Sequence, residues 1–463
     1  KRSAKALGFS ATAVKGDEIA AARTNDIMSS LAGKVAGVQI SSSSSDPGSS
    51  KSVIVRGISS LGSTNQPLYV IDGVPLNNST VSTDRDLNRG YDFGNGASAV
   101  NPDDVESMTI LKGAAATALY GSRAANGVIL ITTRKGKTGK PQLSYSGNVA
   151  IQRPTAIPSY LNSADYATLY NEAQRNDTYV SGAAYMPRFS DKDIELYRNG
   201  TDPLFHPNMD WTGDFLRKST LRTQHNFTLT GGTDRVKYFV SAGYYSQEGM
   251  YNHTKVDADH DVNAHNSRYN FRSNLDFSVT QDFKASLQLA AQVENVRTPG
   301  SGNSTIWREI SWANPLSSPG LIDGKVVRLQ DVLGEQNPYG MLLGNGYDAD
   351  SKNNVNTTLR LDYDLSRWLL KGLSVHGSIS FDSYYYSRKK FRKSIHYYTP
   401  ERDPNAAGGV VFVPKEEETV WPASAAYGKN RKIYAELGLH YDQSFGKHHT
   451  TALLLYNQSK YYS

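Results

Sequence analysis

Between Arg268 and Thr280 the chain alternates apolar and polar positions for about 13 residues. Tyr269, Phe271, Leu275, Phe277 and Val279 fall on one face; Arg268, Asn270, Arg272, Asn274, Asp276 and Ser278 fall on the other. A period of two marks an extended strand with two chemically different faces. Eight further runs share this character, at about 143–151, 221–231, 236–246, 283–293, 355–365, 373–383, 433–443 and 450–457. Strands of soluble sandwiches average roughly 5–6 residues, whereas a strand crossing a bilayer needs roughly 9–11.

The connections sort into two kinds. Short ones lie at 231–234 and 280–282, between the sixth and seventh runs, and between the eighth and ninth; long ones lie at 152–220, 247–267, 294–354 and 384–430. Strict short–long alternation places the tight turns on one side of a sheet and the long loops on the other, as in outer-membrane barrels. Loops this long count against a compact soluble domain. Nine runs is an odd number, and an open sheet edge is not viable in lipid. The chain is therefore expected to be the first part of a longer polypeptide.

Residues 1–138 have a different texture. Val53–Arg56, Leu68–Asp72, Val105–Leu111 and Gly127–Thr133 predict short strands. Ile27–Val38 predicts a short amphipathic helix with Asn25 or Asp26 as cap, and 41–46 a serine-rich loop. Ala114–Leu119 predicts a helix closed by Gly121, so 101–135 reads as strand, turn, helix, turn, strand. The fold class is thus an α+β plug domain over 1–138, followed over 139–463 by about nine strands of a transmembrane antiparallel β-barrel. A plug of that size needs a wide lumen, which points to the class of about 22 strands, with about thirteen more beyond this chain.

Composition narrows the function. Mean hydropathy is −0.51. No apolar run approaches the roughly 20 residues of a spanning helix, which excludes a helical membrane protein and leaves a barrel open. The net charge of +6 is scattered, with no basic stripe, so no nucleic-acid partner is expected. Cys 0 removes thiol catalysis, disulfides and Cys-zinc sites.

The motifs give little catalytic chemistry. GlyLysThr at 136–138 lacks the glycine a phosphate loop needs, having Ile131 in its place, and the basic stretch 134–140 reads as a linker. No GxSxG, carboxylate pair or histidine cluster is placed for catalysis, and no cofactor is expected. Asp257, Asp259 and Asp261 begin like a calcium loop. Val262 and Arg268 stand where glycine and glutamate are required, so a solvated loop is favoured over a metal site. Gly57, Gly73, Gly113, Gly121 and Gly127 end or join short elements, and Asp72 precedes a glycine; all read as turn residues. Tyrosines cluster at 244–245, 384–386, 397–398 and 461–462, and those at strand ends fit an interfacial girdle. Trp211, Trp307, Trp312 and Trp421 lie in the long loops and are the candidates for contact with a substrate or a lid.

Several longer motifs point to one family. ValIleValArgGly (53–57), ProLeuTyrValIleAspGlyValPro (67–75), ValGluSerMetThrIleLeuLysGly (105–113) and TyrGlySerArgAlaAlaAsnGlyValIle (120–129) resemble the plug of TonB-dependent transporters. The wording is closest to the SusC/RagA-like branch from Bacteroidetes. AspTyrAlaThrLeuTyrAsnGluAla (165–173), AsnMetAspTrp (208–211) and TyrPheValSerAlaGlyTyrTyrSerGlnGluGly (238–249) extend the resemblance beyond the plug.

That resemblance implies active import across the bacterial outer membrane, driven by TonB through a Ton box upstream of the plug, with a SusD-like surface lipoprotein as lid. Oligosaccharides are the usual cargo and oligopeptides the less common one. It also favours reading Arg56, Glu106, Lys112 and Arg123 as a latch between plug and barrel wall, over ordinary surface charges. The rivals are a passive porin, which would have no domain ahead of its barrel, an extracellular adhesin with short, evenly spaced strands, and a siderophore-type receptor.

Overall fold

The structure is a computed structural model and describes residues 11–22, 24, 26–42, 51–58, 65–76, 100–112, 120–256, 260–329, 337–393, 396–415, 420–446 and 448–462. Its first seven strands are β1 (Ala11–Lys15), β2 (Val38–Ser42), β3 (Lys51–Val55), β4 (Leu68–Ile71), β5 (Val74–Pro75), β6 (Val105–Leu111) and β7 (Val128–Thr133). Five of them form a sheet in the order β1–β6–β7–β4–β5, and β2 pairs with β3 separately. β7 runs antiparallel to β6 and parallel to β4. Its sequence, ValIleLeuIleThrThr, is nearly continuous in β-branched and apolar residues, as suits a central strand covered on both faces. The core gathers Ile19, Ile27, Met28, Leu31, Tyr69, Met108, Ile110, Ile129 and Ile131.

The helix expected over Ile27–Val38 is only a 3-10 turn, Ser29–Leu31. The Asp26 carboxylate accepts from the Met28 amide at 3.1 Å, but the turn starts only after Met28 and has no side-chain cap. Gly33 and Gly37 then adopt left-handed φ of 74° and 70°, which stops a helix from propagating. The apolar residues are buried all the same. A short helix that the pattern did not announce, α1 (Gly16–Ala21), follows β1. Between β6 and β7 a 3-10 turn covers Gly121–Ala124; the helix expected at 114–119 lies outside the described residues.

Thirteen strands follow: β8 (Gly139–Gln152), β9 (Thr220–Gly232), β10 (Val236–Glu248), β11 (His265–Ser278), β12 (Phe283–Pro299), β13 (Leu321–Ile322), β14 (Lys325–Val327), β15 (Tyr347–Asp364), β16 (Leu373–Lys393), β17 (Tyr397–Arg402), β18 (Val410–Pro414), β19 (Val420–Phe445) and β20 (His448–Tyr462). Nine of these, omitting β13, β14, β17 and β18, form one antiparallel sheet in chain order, and each coincides with one of the nine alternating runs. β16 and β19, at 21 and 26 residues, exceed what a bilayer requires. Their far ends keep pairing well past it, for example Tyr385 with Lys429.

The two faces of this sheet are chemically opposite. One cross-strand row reads Tyr238–Leu275–Leu287–Leu359–Ile379, and the next reads Phe239–Asn274–Gln288–Thr358–Ser380–Tyr434. Leu143, Phe227, Phe271, Ile379 and Leu437 are exposed, while Arg272, Asn274, Ser380 and Lys432 are buried. This inverts the arrangement of a soluble sheet. It fits a wall with lipid outside and a polar, occupied lumen inside.

Short turns at 233–235, 279–282 and 365–372 occupy one rim, together with Gly446 after β19. The long connections carry structure of their own. α2 (Ser163–Ser181), α3 (Asp191–Asn199), α4 (Trp211–Phe215), α5 (Asn303–Trp312) and α6 (Pro338–Gly344) lie in them, and β13–β14–β17–β18 form a small sheet. Trp211, Phe215, Tyr251, Ile306, Ile310, Tyr339 and Leu342 bury one another across three loops. The Tyr339 hydroxyl donates to Asp214 at 2.5 Å, and burial together with that carboxylate pushes the phenol far up.

Candidate functional site at the seam between plug and wall

The plug meets the wall through a short strap ahead of β6. Asn101 caps the 3-10 turn Pro102–Asp104 by accepting from the Asp103 amide at 3.2 Å. The same side chain reaches the wall, donating from Nδ2 to Asn226 Oδ1 at 2.8 Å. Asn226 returns a bond to the Asp103 carboxylate. Gly243 on β10 makes room for this exchange. A Cβ there would stand 2.6 Å from Asn226 Oδ1 and 2.7 Å from Asn101 Nδ2.

One residue further on, Asp104 forms a buried ion pair with Arg272 of β11, Nε to Oδ2 at 3.2 Å. The two residues are 2% and 5% exposed. Burial pushes the Asp104 carboxyl up, and the Arg272 guanidinium, the Ser241 hydroxyl and the charge on Arg134 act against that rise. A charge taken from water in this way is tolerable only while its partner stays in place.

The plug's last strand is fastened separately. The Asp72 carboxylate accepts from the Thr133 amide at 2.9 Å and from its hydroxyl at 2.6 Å. Asn274 on the wall donates to Thr133 Oγ1 and to the Arg134 carbonyl. On the opposite flank, buried Lys432 of β19 donates to the Pro75 carbonyl, with Asp382 at 3.9 Å. Between these attachments Ile71, Val74 and Leu76 of the plug face Asn356, Ser380 and Asp382 of the wall across a cavity of about 40 Å³. That is room for about two waters, beside wall groups able to bond them.

Higher on the same inner face the wall carries a charge ladder. Lys352 pairs with Glu294 at 3.6 Å, Arg388 with Asp350 at 2.8 Å and Arg392 with Asp348 at 2.5 Å.

The residues singled out from motifs are placed elsewhere. Arg56 is exposed, with φ of 63°, and its amide donates to the Gly37 carbonyl inside the plug. Glu106 is exposed on β6. Lys112 donates to the Ala36 carbonyl at 2.5 Å, again within the plug. Arg123 sits in the Gly121–Ala124 turn, its side chain outside the described residues, as is Gly113. The structure therefore brings none of the described three to the wall. The wall is met instead by Asn101, Asp103, Asp104, Thr133 and Pro75. A signal was available: Arg272 and Asn274 are large polar residues on the inner face of the clearest strand.

Asp72 and Gly73 form the tight turn between β4 and β5, with φ of 49° and 93°. Two left-handed residues in succession make the primed hairpin turn that Asp-Gly favours. Gly127, at φ 94°, lies so close to Leu111 that a Cβ would reach its carbonyl oxygen at 3.2 Å. Gly57 and Gly121 also have positive φ.

Trp211 corrects its expectation. It is 3% exposed, its indole donates to the Asn314 carbonyl at 3.0 Å, and it packs inside the loop core instead of facing a ligand. Trp307 and Trp312 on α5 are exposed, and the Arg308 guanidinium lies 5.3 Å from the Trp312 ring. Trp421 is on β19, with its side chain outside the described residues. Asp257 and Asp259 also lie outside them; Asp261 accepts from the Asn263 amide at 2.8 Å. Among the described residues no group of His, Asp and Glu is gathered for a metal ion.

A wall that is apolar outside and polar inside, with a separate sheeted domain keyed into its polar face, defines a plugged outer-membrane β-barrel. Comparison with known proteins shows what the chain is similar to. Residues 3–128 match the model described as TonB-dependent Receptor Plug Domain. The chain is 35% identical over 243 residues to the TonB-dependent receptor SusC of Bacteroides thetaiotaomicron, covering 52% of this chain and 21% of that protein. It is 31% identical over 281 residues to a TonB-dependent receptor of Formosa agariphila, covering 60% of this chain and 22% of that one.

Among solved structures it resembles the RagAB peptide transporter, with a TM-score of 0.65 at 21% identity over 98% of this chain and 49% of that one. The siderophore receptor PirA from Acinetobacter baumannii gives a TM-score of 0.53 at 13% identity over 99% of this chain and 48% of that one. The chain is thus similar to SusC-like TonB-dependent receptors in sequence, and its plug and wall share the fold of the outer-membrane barrels of this kind. Its matches span about a fifth of the length of these two curated relatives and about half of these two solved chains.

Proposed function

We propose that this chain supplies the plug, residues 1–138, and the first part of the barrel wall, residues 139–463, of an importer that draws oligomeric nutrients across the outer membrane. TonB would act through a Ton box upstream of the plug, and a SusD-like surface lipoprotein would close the barrel from outside. Oligosaccharides are the favoured cargo and oligopeptides the second, following what the sequence resemblance implies.

One observation carries the reading: the buried Asp104–Arg272 pair. A passive pore has no use for a plug held to its wall by a desolvated ion pair. A gated importer does, because the contact is strong while both partners are present and is lost cooperatively when the strap moves. The latch role passes from Arg56, Glu106 and Lys112 to Asp104, Arg272, Asn101, Asn226 and Asn274.

Uptake of labelled oligosaccharide or oligopeptide by cells carrying the whole receptor tests the proposal. Uptake that stops when TonB is deleted or the proton gradient is collapsed supports it. Uptake that continues under both treatments identifies a passive pore.

A further inference from the structure

Among the described residues of the short-turn rim, a run of large apolar residues faces outward only at the turn between β15 and β16. Trp368, Leu369 and Leu370 are 71%, 73% and 51% exposed. This is not a loose tip. The Trp368 and Leu369 amides both donate to the Leu365 carbonyl, at 3.0 and 2.8 Å, and the Leu373 amide donates to the Leu370 carbonyl at 3.0 Å. The Gly372 amide donates to the Ser366 hydroxyl at 3.1 Å. Gly372 itself has φ of 84°, and a Cβ there would come within 2.3 Å of the Asp442 carbonyl on β19. The backbone is therefore fixed in a form that holds three apolar side chains away from the protein, at a cost in water that nothing in the turn offsets.

What covers them follows from their neighbours. Leu359, Leu361, Ile379 and Phe381, on the two strands that enter and leave the turn, are exposed on the lipid-facing side of the wall. The adjoining rim positions Val279 and Phe445 are exposed as well. The patch thus continues the lipid-facing band past the strand ends. It is flanked by Arg367, whose guanidinium lies 5.9 Å from the Trp368 ring, and by Lys371. An indole with flanking cations suits the boundary between acyl chains and lipid phosphates.

We propose that the 365–372 turn is a membrane anchor, seated in the periplasmic leaflet of the outer membrane with Trp368, Leu369 and Leu370 among the acyl chains. Arg367 and Lys371 lie at the phosphate level. The anchor holds the β15–β16 part of the wall at a fixed depth, on the side toward which TonB would draw the plug.

The 463 residues contain Cys 0, so a thiol can be introduced singly within them. The whole receptor, in phospholipid bilayers, is labelled with a nitroxide at Leu369→Cys, at Trp368→Cys, or at Gln281→Cys in the neighbouring turn, with unsubstituted receptor as background. Collision with oxygen, which concentrates in lipid, is compared with collision with a water-soluble nickel chelate. The anchor requires oxygen to dominate at 368 and 369, and nickel at 281. Nickel dominance at all three sites overturns it, leaving the turn in water. An immobilised label shielded from both reagents at 368 and 369 also overturns it, because a protein surface then covers the turn.

Discussion

Asn274 uses one amide group to hold two points of the plug at once, the Thr133 hydroxyl at 2.9 Å and the Arg134 carbonyl at 2.7 Å. These points lie where the plug's last strand ends and the basic linker begins. Thr133 is held from its other side by Asp72, so the strand end is fastened within the plug and to the wall together. Replacing Asn274 by Leu removes both wall bonds and buries apolar surface against a carbonyl. A loss of about 1–3 kcal/mol in the protection of this strand end is expected. Amide exchange at 128–134 reads it, and unchanged exchange there would show that the Asp72 bonds suffice alone.

Asp104→Ala leaves Arg272 charged, buried and without its partner. Plug docking should weaken by roughly 3–5 kcal/mol. The combined change Asp104→Leu with Arg272→Met should recover most of the loss, since neither charge then remains. Proteolytic release of the plug from the folded barrel measures both. A double variant as weak as the single one would mean that shape, not charge, sets the contact.

Gly243→Ala tests the fit of the strap without altering any charge. The added carbon would lie inside contact distance of Asn226 and Asn101, so the strap must lift and their hydrogen bond must lengthen or break. Faster amide exchange at 100–104 is expected, with the β10–β11 pairing unchanged. If β10 itself loosens, the strain is being absorbed by the wall.

Trp211 and Trp312 should behave in opposite ways. Trp211→Ala empties part of a loop core and should cost roughly 3–5 kcal/mol in the local stability of the outer loops. Trp312→Ala, on an exposed helix end, should leave thermal unfolding within experimental error. Its effect, if the α5 face meets cargo or lid, should appear in ligand capture.

Acid should fray the start of α3. The Ser190 hydroxyl bonds the Asp193 carboxylate at 2.7 Å and holds it below the usual carboxylate range, the Ser190 amide and His206 acting in the same direction. A depressed carboxyl stabilises the fold above its unfolded value, about 3.9, and that contribution disappears as pH falls through the folded value. Exchange at 190–195 should therefore rise as pH drops below about 4. In Asp193→Asn, which cannot titrate, the pH dependence should flatten.

The nine wall strands were readable because lipid and lumen impose opposite chemistry on alternate residues, and a pattern such as Tyr269–Arg272–Phe277 needs no tertiary knowledge to interpret. The central plug strands were readable for a related reason: β7 is apolar on both faces. The turn at 29–31 was misread as helix because the apolar spacing of Ile27, Met28, Leu31 and Val35 suits either form. Two glycines decided the matter. The latch was misplaced because charge alone does not reveal burial. Glu106 and Asp104 are two residues apart in one strap-and-strand segment, yet one is exposed and the other is 2% exposed. Trp211 departs from its expectation because these loops have a core, which loop position in the sequence does not reveal.

That core links parts of the chain far apart in sequence: Trp211 to Asn314 and Asp214 to Tyr339. These loops therefore share one core. A residue exchanged in the first long loop must be accommodated by the third, so selectivity among relatives should change by replacement of whole matched sets of loops. Grafting a single loop from a receptor of different preference should give a rim that fits neither cargo.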